Sequence, residues 1–356
     1  MKNIAILMGG YSEEASVSLQ SAATVVEFLD KSKYHPYPIL ITKDKWVYTN
    51  AKGEEFPIDK NDFSLTLSGE KITFDCAFNA IHGTPGEDGH LQAYFSFVGV
   101  PITGCSMYAS ALTFNKRDML SVLKPYGIPR AKAYYLNQGE HFSAREIIKT
   151  VGLPCFVKAN RSGSSIGVFK AYSEKDIDEA IEKAFQVDNE VIIEEFLKGT
   201  EVSVGVITYR EKKRVLPITE IVSENDFFDH EAKYEGKSQE ITPARLSDEE
   251  RKKVEELALR VYNLLQMKGF SRSEYIIVNG IPHLLEMNTT PGLTKASILP
   301  QQAKAAGIMI LDWDTPTDIN VVDASIHQID DKVLGEHLFD KLVEKMGTDA
   351  GEYAII

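Results

Sequence analysis

Residues 269–292 read GFSRSEYIIVNGIPHLLEMNTTPG. Two strand-like runs flank Val-Asn-Gly-Ile-Pro at 278–282, which is a hairpin signal. Arg272 and Glu274 stand two residues apart on the first run, so they share a face. Glu286 and Asn288 do the same on the second. Pairing the runs brings Glu274, Glu286 and Asn288 to one face, with Arg272 nearby. Hard oxygen donors of this kind suit Mg²⁺ shared with substrate phosphates. The alternative is a surface hairpin with its charges in water. It fits poorly with Leu284, Leu285 and Met287 as neighbours.

The rest of the chain must supply what such a site serves. Its 356 residues are long for one core and predict two or three domains. A hydrophobic content of 43% with 26% charged residues is that of an ordinary water-soluble globular protein. No apolar run approaches the ~20 residues of a membrane helix. MKNIAILMGG at the start lacks the apolar core and cleavage site of a signal peptide, and reads as a first strand. Cys76, Cys105 and Cys155 are scattered and odd in number, which argues for a reducing cytoplasm. A net charge of −13 excludes nucleic-acid binding through a broad basic face. Residues 311–356 hold eight Asp, three Glu and three Lys, so most of that charge sits in an acidic tail.

Residues 4–8 are all apolar, as in a strand buried on both faces. Gly9 and Gly10 follow, then a stretch in which Val17, Leu19, Val25, Val26, Phe28 and Leu29 are spaced as one helix face. Strand, glycine turn and helix open a doubly wound α/β domain with a parallel sheet. Further strands are expected at 37–41, 77–81, 133–136, 155–158, 166–169, 191–195, 202–208, 215–221, 274–278 and 283–287. Helices are expected at 90–98, 116–124, 174–185 and 247–267. Ser247-Asp-Glu-Glu250 is a capping signature for the last of them. The expected domains are 1–108, 109–204 and 205–310, with the tail at 311–356.

Three further segments carry chemistry. In CFVKANRSGSSIGVFK, 155–170, Lys158 ends a strand before a loop containing Gly163, Ser164, Ser165 and Gly167. The loop either wraps phosphate with its N–H groups, the Lys adding charge, or is a plain hairpin. In VIIEEFLKGTEVSV, 191–204, a buried strand ends at Glu194-Glu195-Phe196-Leu197, with Glu201 beyond. The strand end can present main-chain groups to a base edge and a carboxylate to ribose; the alternative is a solvated acidic turn. In NAIHGTPGEDGHLQ, 79–92, a strand ends in a glycine-dense loop holding His82, which favours a ligand site. A lone His is otherwise structural.

Together these segments resemble the ATP-grasp enzymes, and among them the D-alanine–D-alanine ligase family. GGYSEE, NAIHGTPGEDG, ASALTFNK, FVKANRSGSSIG, IIEEFLKGTEVSV, DHEAKYEGKSQEITPA, GFSRSE and LLEMNTTPGLTKAS all look like its motifs. They occur in order across about residues 1–310. The resemblance implies a three-domain ATP-grasp architecture, α/β in its N-terminal domain and α+β overall. It implies that ATP phosphorylates one D-alanine and that the amine of a second attacks this D-alanyl phosphate. The products are the dipeptide, ADP and phosphate, for peptidoglycan precursors.

Roles follow by position from the resemblance. Glu14 would hold the first ammonium, supported by His82. Lys116 and Lys158 would bind phosphates. Glu194, Phe196 and Leu197 would meet the adenine, and Glu201 the ribose. Ser164 and Tyr234 would join Glu14 in a hydrogen-bonded chain. Lys233 would contact phosphate and the second subsite. Arg272 and the Gly292 N–H would stabilise the oxyanion. Glu274, Glu286 and Asn288 would hold two Mg²⁺ ions, with Mn²⁺ able to replace them. Ser297 would receive the second carboxylate. The loop 223–242 would close over the site against water. A homodimer is also implied, and neither nucleic acid nor membrane is an expected partner.

Phe196, Glu274 and Ile298 depart mildly from the family pattern, which favours Trp, Asp and Leu there. The tail 311–356 has no match to the pattern. It reads as an appendage, with an amphipathic helix expected at 331–346 from Leu334, Leu338 and Leu342. A partner-binding arm or a metal site at His327 and His337 are the other readings. For the whole chain the competing classes are another carboxylate–amine or depsipeptide ligase of the D-alanine–D-lactate type, and a nucleotide-binding module without turnover. The presence of Lys116, Lys158, Arg272, Glu274, Glu286 and Asn288 speaks against the module.

Overall fold

A computed structural model describes residues 1–209, 212–223 and 238–308, with short strands at 312–313 and 325–326. Lys233, Tyr234 and most of the loop 223–242 lie outside the described residues. So do the helix expected at 331–346, His327 and His337.

Three sheets organise the chain. The first holds β1 (Lys2–Gly9), β2 (Tyr34–Ile41), β3 (Trp46–Thr49), β4 (Glu55–Asp59), β5 (Ser64–Leu67), β6 (Glu70–Ile72) and β7 (Cys76–Asn79), in the order 6-5-4-3-2-1-7. β1 pairs in parallel with β2 and β7, as its apolar run predicts. β2, expected at 37–41, continues through β3 to β6 as an antiparallel meander, and those four strands were not expected from the sequence.

α1 (Ala15–Phe28) covers this sheet, but not with the expected face. Its buried residues are Ser18, Ser21, Ala22 and Val25, while Leu19 is 43% exposed. The reason is close approach: Ser18 accepts a hydrogen bond from Gly9 N–H at 2.9 Å, which a bulkier apolar residue could not do. α2 (His90–Val98), α3 (Met107–Phe114) and α4 (Lys116–Leu123) follow.

The second sheet comprises β8 (Ala133–Asn137), β9 (Cys155–Ala159), β10 (Val168–Ala171) and β11 (Glu190–Glu195), in the order 10-9-11-8. α5 (Ala144–Val151) and α6 (Glu174–Ala184) bury Ile147, Ile177 and Ile181 against it.

The third sheet is built from β12 (Thr200–Tyr209), β13 (Lys212–Val215), β14 (Thr219–Ser223), β15 (Ser238–Ile241), β16 (Phe270–Val278) and β17 (Ile281–Asn288). α7 (Asp248–Leu264) carries the full capping box, with Ser247 and Glu250 each accepting from the other's N–H. β12 runs across residue 204 and belongs wholly to this sheet. α4 packs here as well, putting Met119, Leu120 and Leu123 in one core with Val202, Val204 and Tyr275. α8 (Ile298–Ala305) closes the described body. Beyond it, β18 (Asp312–Trp313) pairs in parallel with β19 (Ser325–Ile326).

Candidate active site

The hairpin β16–β17 turns at Asn279 and Gly280, whose φ values of 50° and 73° are those of a two-residue primed turn. Its register sets Arg272 opposite Asn288 and Glu274 opposite Glu286. The four polar side chains of the opening segment therefore share one face. The register then shifts between Glu274 and Tyr275, leaving Leu285 as an extra residue on β17. The bulge lets two consecutive residues, Leu285 and Glu286, both face the same cleft. Strict alternation forbids this, so the sequence reading missed Leu285.

That cleft lies between the second and third sheets. Lys116, Lys158, Glu194, Leu197, Glu201, Glu274 and Glu286 line it, as do Phe156, Ile276 and Leu285. Phe196 does not line it. Its ring lies 6.0 Å from that of Phe156, and the Lys170 ammonium sits 4.0 Å over it. Phe196 thus buttresses the apolar wall through Phe156, which sequence reasoning did not select.

Charge in the cleft is internally compensated. Lys158 Nζ lies 2.7 Å from Glu194, which is only 4% exposed. Burial works against the Lys158 charge, but Glu194, Glu286 and Glu201 outweigh it and hold its pKa above the usual ammonium range. Lys116 donates to the Ser162 carbonyl at 2.6 Å and lies 3.3 Å from Glu286. Arg272 is paired with Glu274 and donates to Ser203 at 3.1 Å. Burial opposes its charge too, and Glu274 and Glu286 overcome it.

The loop after β9 approaches the N-terminal domain. Ser164 donates to Glu14 at 2.5 Å. A Cβ on Gly163 would come within 2.9 Å of Glu14 Oε2, so a side chain there would make the carboxylate shift. Ser164 and Ser165 sit at φ 51° and 59°, backbone strain of the kind found at ligand sites.

A second polar group meets this one from the first domain. His82 Nδ1 donates to the Thr290 carbonyl at 2.8 Å, so its Nε2, 3.0 Å from Ser21 Oγ, is the acceptor. Burial lowers its pKa, although Glu14 pulls the other way. Glu87, which sequence reasoning did not single out, accepts from Gly83 N–H at 2.6 Å and Thr290 N–H at 3.2 Å. Burial pushes its carboxyl up to about 8, with Glu14 adding to the effect and the two N–H groups opposing it. The only sequence signal was its place in a glycine-dense loop.

Thr290 N–H is also held by Asn288 Oδ1 at 2.8 Å. The turn continues to Gly292, where a Cβ would meet Ser297 Oγ at 2.7 Å. Ser297 Oγ lies 2.8 Å from the Thr294 hydroxyl at the start of α8. The structure thus links Glu14 with Ser164, His82 and Asn288 with Thr290, and Gly292 with Ser297, while Arg272 and Asn288 share the hairpin face with Glu274 and Glu286, which line the cleft.

Among the described residues no group of three His, Cys, Asp or Glu side chains forms a ready metal cage. The hairpin offers two carboxylates and one amide, an all-oxygen set. Such a set fits a divalent cation that completes its coordination on phosphate oxygens. No described helix is long and apolar enough to cross a membrane.

Comparison with known proteins agrees with this geometry. The family model for the D-ala D-ala ligase N-terminus matches residues 3–105, and that for the C-terminus matches 122–312. The D-alanine–D-alanine ligase of Flavobacterium johnsoniae is 63% identical, covering 92% of this chain and 100% of its own. That of Christiangramia forsetii is 55% identical, over 92% and 99%. Among solved structures, the VanG D-Ala:D-Ser ligase of Enterococcus faecalis aligns with a TM-score of 0.77 at 32% identity, covering 86% of this chain and 95% of its own. The D-alanine–D-alanine ligase of Bacillus anthracis complexed with ATP aligns at 0.70 and 29%, over 86% and 93%.

Proposed function

The chain belongs to the D-alanine–D-alanine ligase family, and from that premise we infer an ATP-dependent peptide synthase that makes D-alanyl-D-alanine for the cell wall. The observation that carries the reading is the shared face of Arg272, Glu274, Glu286 and Asn288, of which Glu274 and Glu286 line the cleft.

The two sheets hold ATP between them. Leu197 and the Glu194–Leu197 main chain meet the base, with Phe156, Ile276 and Leu285 as apolar walls and Phe196 behind Phe156. Glu201 takes the ribose. Lys116 and Lys158 exchange their carboxylate partners for phosphate oxygens. Glu14 receives the ammonium of the first D-alanine, and His82, neutral through burial, orients the loop beside it. The first carboxylate then attacks the γ-phosphate, and ADP leaves. This step matters because a free carboxylate has only oxide to expel.

The amine of the second D-alanine, its carboxylate at Ser297, attacks the acyl carbon of the D-alanyl phosphate. Arg272 and the Gly292 N–H stabilise the tetrahedral oxyanion, work suited to preorganised donors. Collapse expels phosphate and leaves the peptide bond. Ser164 and Tyr234 join Glu14 in relaying protons, and Lys233 covers the phosphate as the loop 223–242 closes. Glu274, Glu286 and Asn288 would hold two Mg²⁺ ions, or Mn²⁺, which neutralise phosphate charge when bound.

We assign the three sheets to three domains, with the second boundary just before β12 rather than at 204. A homodimer in the cytoplasm completes the reading, with no nucleic-acid or membrane partner. The test is product identity. The chain is incubated with ATP, MgCl₂ and D-alanine, alone and with D-serine or D-lactate, and products are separated by mass. D-alanyl-D-alanine should dominate. Predominance of a D-serine or D-lactate product would move the chain to that other class of ligase.

A further inference from the structure

Behind the cleft lies a polar cluster that touches no candidate ligand group directly. Asn160 follows β9, two residues after Lys158, and is fully buried. Its Nδ2 donates to Glu190 at 2.7 Å and to Asn115 Oδ1 at 2.7 Å. Its Oδ1 accepts from the backbone N–H of Arg117 at 2.8 Å. The amide orientation is forced, because Arg117 N–H can only donate and Glu190 can only accept.

These bonds join three elements. Arg117 N–H and Asp118 N–H are open donors in the first turn of α4. Asn115 Oδ1 accepts from Asp118 N–H at 3.0 Å, so α4 is capped by its own Asn115 and, from another element, by Asn160. Glu190 opens β11, whose far end carries Glu194. It also holds Arg117 at 3.0 Å and the Asn115 amide at 3.3 Å. The first residue of α4 is Lys116, whose ammonium meets the Ser162 carbonyl in the loop that Asn160 begins.

We propose that Asn160 is a positioning residue for ATP. It locks the first turn of α4 to the start of the loop 161–167, so Lys116 reaches phosphate from a fixed direction. The proposal rests on the assignment of Lys116 as a phosphate ligand. Asn160→Asp keeps the oxygen that caps Arg117 N–H but turns both donors into an acceptor facing Glu190 and Asn115. Losing two such bonds, one of them to a charged group, is expected to raise KM for ATP about tenfold. KM for D-alanine and kcat should stay within about twofold of the parent. A merely structural role would lower the active fraction and Tm, and so kcat, and leave both KM values alone.

The steady-state constants for ATP and for D-alanine are therefore measured on the full chain for Asn160→Asp and, as a reference, Lys116→Ala. A higher KM for ATP in both variants supports the proposal. A rise in Lys116→Ala alone overturns it and leaves the site assignment standing. No rise in Lys116→Ala removes Lys116 from the phosphate site and the proposal with it. If Asn160→Asp does not fold, Asn115→Ser replaces it, since Ser still caps Asp118 N–H but is too short to reach Asn160. A folded Asn115→Ser with unchanged KM for ATP contradicts the proposal, and a rise supports it.

Discussion

The hairpin β16–β17 and the loop 79–89, joined through Thr290, handle polar groups in opposite ways. On the hairpin side, charges neutralise one another: Arg272 with Glu274, Lys116 with Glu286, and Lys158 with Glu194 across the cleft. Each partner can be exchanged for a phosphate oxygen or a metal ion. In the loop, buried His82 and half-buried Glu87 are bonded to main chain or to a serine hydroxyl. Those bonds have no ligand substitute, so they fix the distance between two loops. The difference separates groups that react from groups that hold the reacting groups in place.

Substitutions can break that comparison, and the largest effect is expected on the hairpin. Asn288→Leu should remove turnover while the thermal transition stays close to the parent. Retained phosphate release would contradict its place on the reaction face. Arg272→Lys keeps a charge beside Glu274 but loses the guanidinium fork. It should lower kcat by about 10²-fold, the scale of a lost oxyanion donor. A change confined to KM would point to substrate binding instead.

Effects of loop substitutions should appear first in stability. Burial holds the Glu87 carboxyl up at about 8, above an unfolded carboxyl near about 4.3. The folded chain therefore binds the extra proton between those values. The stability from this group is complete at low pH and is lost as pH rises toward about 8. Glu87→Gln should flatten the fall in Tm between about pH 4 and about pH 8, and an unchanged slope would remove Glu87 as its source. The smallest effect on turnover belongs to Ser21→Ala, which strips the partner from His82 Nε2. It should cost about 1–3 kcal/mol in a denaturant titration, with KM for ATP unchanged.

The two regions also differ in how well the sequence announced them. The hairpin was legible because period-2 spacing and an Asn-Gly turn are local rules, and Arg272, Glu274, Glu286 and Asn288 obey them. The motif order carried the family and the ATP site. Leu285 escaped because a bulge breaks the period. The face of α1 was misjudged because close approach to the Gly9 turn selects Ser18 and Ser21 over Leu19. Glu87 and Asn160 were invisible for a related reason. A carboxylate or amide in a loop reads as solvated, and only tertiary packing shows it buried with backbone partners. Phe196 is expected at the base from the resemblance alone, whereas Phe156 on the neighbouring strand β9 lines the cleft.

In the proposed reaction the paired charges of the cleft give way to ATP phosphates, metal and D-alanine acting together. Phosphate release is measured with ATP, Mg²⁺ and D-alanine present, and with each omitted in turn. The account predicts release only when all three are supplied, with chelation of the metal abolishing it. ATP turnover that ignores D-alanine, or that survives removal of divalent metal, would contradict it.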